Sequence, residues 1–467
     1  MHTNYRMGKA ITNDYLIKHD NDILNNKNYN VIQSALNKVQ IEDIMSKPSE
    51  VNKLPFIFNY QLKEKVRSTN QYYSGRCWIF SALNLFRHRL IEHYKLPPHF
   101  ELSEAFVFKY DRIEKCNYLL ELMYDFAKKD TLHTLEFTLL ISDINNDGGT
   151  IDQFINIINK YGIVPKTIFP DNIQVKDTRI LNDLLGTLIK KASTNITKKM
   201  SQTQFNTYKQ SILDEFYRLL TLTIGSIPDT FDWTHKASVL PTNYTPLTYY
   251  NKVVKPLINI DDYIVISNDE RNEYNKLLSV EYLNNMVKED TKDTKDTKDT
   301  KDYKRTITNL YLNVDINTMK KSVFKTFTKY KTPVWIATDW NYFVINNETI
   351  LDHCSSTIQD MFNIEIIKNK KVLLNARITE PAHAMDIIGC QKENKKFLRW
   401  KVENSHGSTN DFDGFIVMSD DFFDKYMMIA LVHKNTLPPY LRHMYKERKP
   451  ENIKWLPFWD IFGYSAD

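Results

Sequence analysis

Cysteine is scarce in this chain: Cys77, Cys116, Cys354 and Cys390 are the only four in 467 residues. That is too few for a disulfide scaffold, and neither a C-x-x-C spacing nor a neighbouring histidine pair marks a structural zinc site. Reduced thiols in an intracellular compartment are the simpler expectation. Long apolar runs are missing as well. The opening "MHTNYRMGKAITNDYLIKHD" lacks the uninterrupted apolar core of a secretion signal, and no later segment reaches the length needed to cross a bilayer. The expectation is a soluble, cytoplasmic protein without a membrane partner. Neither sign of charge dominates: 62 basic and 57 acidic side chains leave a formal charge of +5, which says little about nucleic acid.

What is present suits a globular enzyme. The apolar share is 42%, and the length exceeds the size at which one core stops growing, so more than one packed lobe is expected. Residues 1–60 are polar and asparagine-rich, with one helix-compatible run from Val31 to Ile44; they read as an N-terminal arm that packs on something else. Residues 61–175 read as a helical lobe. Ile79, Leu83, Phe86 and Leu90 form one stripe of a helix that ends before Pro97-Pro98 and carries Cys77 in its first turn. Ser103 is a candidate cap for a second helix holding Cys116, and "DGGT", from Asp147 to Thr150, is a turn feeding a third that Gly162 and Pro165 close. Residues 176–330 read as a mainly helical insertion. Within it the tandem "DTK" run, 290–302, has no apolar residue and is expected to be a solvated, disordered loop. Residues 331–437 are rich in β-branched and aromatic runs separated by short turns, and 438–467 form a C-terminal arm. Helices first and strands later make the expected class α+β.

The chemistry turns on Cys77. A cysteine attacks as its thiolate, and a helix N-terminus and a neighbouring imidazolium both stabilise that anion. The competing reading is a buried, inert thiol. In "HAMDIIGCQKENKKFLRWKVENSHG", a hairpin turn centred between Glu393 and Asn394 places His383 opposite Asn404 if no bulge intervenes. The asparagine could then accept from one ring nitrogen and hold the other toward a thiolate. Period two puts Leu398, Trp400 and Val402 on the same, buried face as Asn404. Taken alone, His383 reads first as a satisfied core histidine and Asn404 as a turn residue; the conjunction with Cys77 is what favours the catalytic reading. Gln71 precedes Cys77 across a turn containing Gly75; its amide and the Cys77 backbone N–H could bond the oxygen of a tetrahedral intermediate. Its bland reading is an exposed loop glutamine.

The segments "NQYYSGRCWIF", "PAHAMDIIGC" and "WKVENSHG" resemble the glutamine, cysteine, histidine and asparagine segments of the papain-like cysteine peptidases. Within them, "RIEKCNYLLE", "DGGTIDQFINIINKYGIVPKTIFPD", "YNKLLSVEYLNNMV" and the terminal "LPFWDIFG" are similar to the bleomycin hydrolase and aminopeptidase C family. The likeness runs from about Asn30 to the C-terminus. It implies a papain-like fold, a helical lobe plus a β-barrel-like lobe, with a helical insertion and terminal arms. It also implies that Cys77 is the nucleophile, His383 the general base and acid, Asn404 the residue orienting the imidazole, and Gln71 the oxyanion-hole donor. The implied reaction is peptide hydrolysis through a thioester, with no metal or organic cofactor. The implied assembly is a homohexamer whose C-terminal arm lies in the cleft, with the terminal carboxylate of Asp467 pairing with the free N-terminus of a peptide substrate. Some members bind nucleic acid through a basic channel. The chain departs from the family at His406, where a tryptophan usually shields the histidine–asparagine bond, and at Ile461, where the family has proline; its "GYSAD" ending also differs. His406 encourages an alternative: a catalytically weak scaffold that binds single-stranded nucleic acid or a protein partner.

Overall fold

A computed structural model describes residues 9–463 apart from 64–65, 143, 145, 237–238, 282–285, 288–308, 341–343 and 346–348. The 290–302 repeat and Asp467 therefore lie outside the described residues. Among those described, a twelve-stranded mixed sheet runs from Ile453–Leu456 at one edge through Lys276–Val280, Asn309–Asn313, Tyr263–Ser267, Met427–His433 and Val334–Thr338 to His383–Glu393. It continues through Lys396–Glu403, Phe415–Ser419 and Ile350–Leu351 to Val344–Ile345, with Tyr60–Gln61 also pairing on the His383 strand. The class is α+β, as expected.

The strands Val334–Thr338 and Met427–His433 are buried at every position because both faces of the sheet are covered. In the strand Val334–Thr338, Trp335 and Ala337 join the core shared with the helices, while Val334 and Ile336 join a second core on the opposite face. Ala384 and Met385 divide the same way on the neighbouring strand. The helix Ile316–Lys329 contributes Met319, Val323 and Phe327 to the second core.

The helical side is built from Cys77–Tyr94, Glu104–Lys128, Ile151–Tyr161, Arg179–Ser193 and Gln202–Ile224. Their caps follow the sequence signals. Ser103 Oγ accepts from the Phe106 amide at 3.1 Å, and Thr150 and Gln153 close a reciprocal capping box. The expected stripe Ile79, Leu83, Phe86 and Leu90 is buried, but so is most of that helix's circumference, including Arg87 and His88. The segment 176–330 supplies two of these helices and also three strands of the large sheet, at Tyr263–Ser267, Lys276–Val280 and Asn309–Asn313.

The helix-compatible run at Val31–Ile44 is broken: one helix, Lys27–Leu36, ends there and a short one, Ile41–Ile44, follows. Neither these nor the preceding helix Asn13–Leu24 buries a residue. The described part of the C-terminal arm folds as a helix, Pro439–Glu447, then a strand, Ile453–Leu456, parallel to Lys276–Val280. Beyond it Phe458, Ile461 and Phe462 are buried, and Asp460 meets Arg271 at 2.8 Å.

Candidate active site

Cys77 is the first residue of its helix, and Arg76 at the N-cap contributes no side-chain hydrogen bond to the first-turn amides. The partial positive charge of the helix start is therefore directed at the thiol rather than consumed by a cap. Several ties hold this start in place. The Gly75 amide donates to Asp147 Oδ1 at 3.0 Å, and Trp78 Nε1 donates to the Asp147 carbonyl at 3.1 Å. Arg76, fully buried, bonds Ser74 Oγ at 3.0 Å and pairs with Asp171 at 3.2 Å. Gly149 of the "DGGT" turn lies so close that a Cβ there would stand 2.5 Å from the Trp78 ring.

His383 Nε2 and Asn404 Oδ1 are 2.8 Å apart, and both side chains are buried. The contact arises differently from the cross-strand count. Glu393 pairs with Lys396, so the turn is centred between Asn394 and Lys395, both left-handed at φ 47° and 69°. Ile388 and Leu398 are extra residues at two bulges, one on each strand, and their shifts cancel. Asp386 therefore pairs with Glu403, and Asn404 reaches His383 diagonally instead of from directly opposite. The bulge also overturns one placement: Leu398 is exposed, whereas Trp400 and Val402 are buried as expected.

Gln71 is buried rather than exposed. Ser405 Oγ donates to its Oε1 at 2.6 Å, and the Gln71 backbone N–H donates to the Ser405 carbonyl at 2.7 Å. With Oε1 so engaged, Nε2 is the donor end of the amide, and it donates to the Ser74 carbonyl at 2.6 Å. The left-handed residue of this turn is Tyr72, at φ 53°, and not Gly75. Asn404 and Ser405 thus address His383 and Gln71 from adjacent positions. Ser405, Ser74 and Trp340 were missed in the sequence. Ser405 could have been found as the hydroxyl beside Asn404; Trp340, whose ring centroid lies 4.5 Å from that of His383, gives no local signal.

A buried charge cluster joins the two halves beneath these residues. Glu403 accepts from His88 at 2.7 Å and pairs with Arg87 at 3.3 Å, so the Cys77 helix is clamped to the strand that leads into Asn404. Trp335 Nε1 donates to the Trp78 carbonyl at 3.4 Å, a second tie from the sheet to the helix start. Burial and the neighbouring Glu403 push the Asp386 carboxyl well up, partly offset by Ser81 and Asn84 on the same helix. Burial opposes ionisation of Glu403 too, but His88 and Arg87 outweigh it and hold that carboxyl below its usual range.

Among the described residues, Asp352, His353 and Cys354 form a group of metal-ligating type. Lys425 Nζ already lies 2.6 Å from His353 Nε2 and 2.8 Å from Asp421 Oδ2, so an ammonium stands beside the imidazole nitrogen a cation would need. The arrangement favours a salt-bridged cluster over a metal site.

The family model described as the Peptidase C1-like family matches residues 10–463. Aminopeptidase C of Lactobacillus delbrueckii subsp. lactis is 30% identical over 85% of this chain and 86% of its own. Bleomycin hydrolase of Mus musculus is 29% identical over 91% of this chain and 92% of its own. The crystal structure of PepW from Lactobacillus rhamnosis superposes with a TM-score of 0.86 at 29% identity, covering 98% of this chain and 100% of that one.

Proposed function

Because the chain belongs to the Peptidase C1-like family, with its papain-like fold, we propose that it is a cysteine aminopeptidase hydrolysing peptide bonds through a thioester. The observation that carries this reading is the buried His383–Asn404 hydrogen bond on a sheet clamped to a helix that begins at Cys77. In the proposed reaction His383 takes the Cys77 proton. With Nε2 engaged by Asn404, Nδ1 is the nitrogen assigned to that transfer. The thiolate attacks the substrate carbonyl, the oxyanion is met by the Gln71 amide and the Cys77 N–H, and His383 returns the proton to the departing amine. Water then attacks the thioester with His383 as base, releasing the acid and restoring the thiol.

The relatives are named for aminopeptidase and bleomycin hydrolase activity, which gives no support to the scaffold alternative. The division into arm, helical lobe, insertion, β-rich lobe and C-terminal arm belongs to the same proposal. So does Asp467, proposed as the residue that pairs with a substrate ammonium. A homohexamer belongs to the same proposal, and the apolar side chains that the N-terminal helices leave outward, such as Ile17, Leu24 and Val31, support association without fixing its number. A cytoplasmic location is proposed from the sparse cysteines; no helix among the described residues is long and apolar enough to cross a membrane. Cys77→Ala is expected to abolish hydrolysis of aminoacyl-arylamides, and unchanged turnover would overturn the reading. Peptides with a free N-terminus are expected to be cleaved faster than their acetylated forms; equal rates would leave a peptidase without the exopeptidase preference.

A further inference from the structure

Three rings meet beside the proposed proton-transfer group. Trp340 follows the strand Val334–Thr338, whose Thr338 pairs with His383. Its ring centroid lies 4.5 Å from that of His383, tilted by 47°, and 5.2 Å from that of His406, edge-on at 87°. His383 and His406 are themselves 5.1 Å apart. Both supports are fixed independently of the rings. Asp339, next to Trp340, accepts from Thr379 Oγ1 at 2.6 Å, and His406 is held by a β-bridge to Asn70, next to Gln71, while the Gly407 amide donates to the Thr69 carbonyl at 2.8 Å.

We propose that Trp340 is a positioning residue for His383, packing against the imidazole together with His406 so that its hydrogen bond to Asn404 stays aligned and dry. The inference rests on the peptidase reading above but assigns a residue from outside the cysteine, histidine, asparagine and glutamine segments. The physical basis is twofold. A hydrogen bond withdrawn from water is stronger and better aligned than a solvated one. The π-face of an indole also attracts the imidazolium that forms when His383 holds the proton, and loses nothing when the ring is neutral. A small polar side chain at 340 would admit water to one side of the imidazole. The ring could then rotate about the Asn404 contact, and Nδ1 would spend less time facing the thiol. Because Trp340 acts on the ring and not on the substrate, its loss should appear in turnover and not in substrate affinity.

The test uses the full-length enzyme with Trp340→Ala, Trp340→Phe and the double variant Trp340→Ala with His406→Trp, measuring kcat and KM on an aminoacyl-arylamide alongside thermal unfolding. The expected result is a kcat lowered about tenfold in Trp340→Ala, the scale of losing one aromatic contact to a cation, with KM changed by less than about twofold. Trp340→Phe is expected to retain most of the turnover, and the double variant to recover it, because an indole at 406, already in contact with the imidazole and beside position 340, restores aromatic cover. An unaltered kcat in Trp340→Ala would overturn the proposal. So would a loss carried mainly by KM, or a loss that neither Phe at 340 nor Trp at 406 restores. If Trp340→Ala unfolds, the Phe variant and the single His406→Trp variant still decide: a fall in kcat in the latter contradicts the covering role. Failure of the peptidase reading is recognised separately, by activity that survives Cys77→Ala.

Discussion

Ser405 shows how much of the site depends on one hydroxyl. It fixes which end of the Gln71 amide is the donor, because Oε1 accepts its 2.6 Å hydrogen bond. Ser405→Ala should therefore lower kcat roughly 10-fold, since removing one buried hydrogen bond partner costs about 1–3 kcal/mol. Gln71→Ala removes the proposed oxyanion donor itself and should cost on the order of 10²–10³ in kcat. A steady-state comparison of the two variants checks the ordering; a Ser405 effect equal to that of Gln71 would show that orientation is the whole contribution. At this scale two placements were readable in the sequence, Cys77 at a helix start and the contact between His383 and Asn404. It was silent on Trp340, which arrives from a different strand and has no spacing relation to the residues it touches. Gly75 was given the turn that Tyr72 makes, because glycine is the usual bearer of positive φ but a turn held by side-chain bonds can impose it elsewhere.

Helix starts and turns decide where these residues stand. Gly149 is the clearest case, since a Cβ would enter the Trp78 ring at 2.5 Å and both neighbours are buried. Gly149→Ala should destabilise the fold by about 1–3 kcal/mol and disturb the start of the Cys77 helix, visible as a lowered unfolding midpoint in denaturant. Periodicity located this helix and the capping signals at Ser103 and Thr150 because both depend only on local sequence. The hairpin register did not follow from counting. The turn type and two cancelling bulges are set by cross-strand packing, which a single strand's pattern does not contain. The short helix Lys370–Asn375 offers a test by pH. Burial depresses the Lys370 amine to about 7, and Nζ donates to Asn268 Oδ1 at 2.6 Å and to the Met427 carbonyl at 2.5 Å. The unfolded chain holds that proton up to its ordinary value near 10.5. Stability from this group therefore rises as pH climbs from about 7 toward 10.5. Lys370→Met should flatten that slope in chemical denaturation at pH 7 and pH 9, and an unchanged slope would contradict the assignment.

The whole molecule brings an early helix and a late hairpin together through ion pairs and the sheet, and this convergence is the part of the account with most at stake. The α+β class could be read from the order of helical and strand-like runs, but not the joining of strands from 263–313 to the same sheet as the His383 hairpin. Long-range pairing of that kind leaves little mark on local composition. The outward apolar face of the N-terminal helices belongs to this scale too. In solution the mass should exceed one chain, and removing residues 1–40 should reduce it; an unaltered mass would take the arm out of the assembly. The most direct measurement of the central claim is the mass-mapped rate of alkylation by iodoacetamide at mildly acidic pH. Cys354 is the more exposed thiol, yet burial and the neighbouring Asp352 and Asp421 carboxylates push its ionisation up, and burial pushes Cys390 up to about 12. If Cys77 is a thiolate paired with His383, Cys77 is modified first and fastest, and His383→Ala slows it by on the order of 10²-fold or more. If Cys354 reacts first, or Cys77 reacts equally fast without His383, access and not activation governs the thiols and the proposed chemistry is wrong.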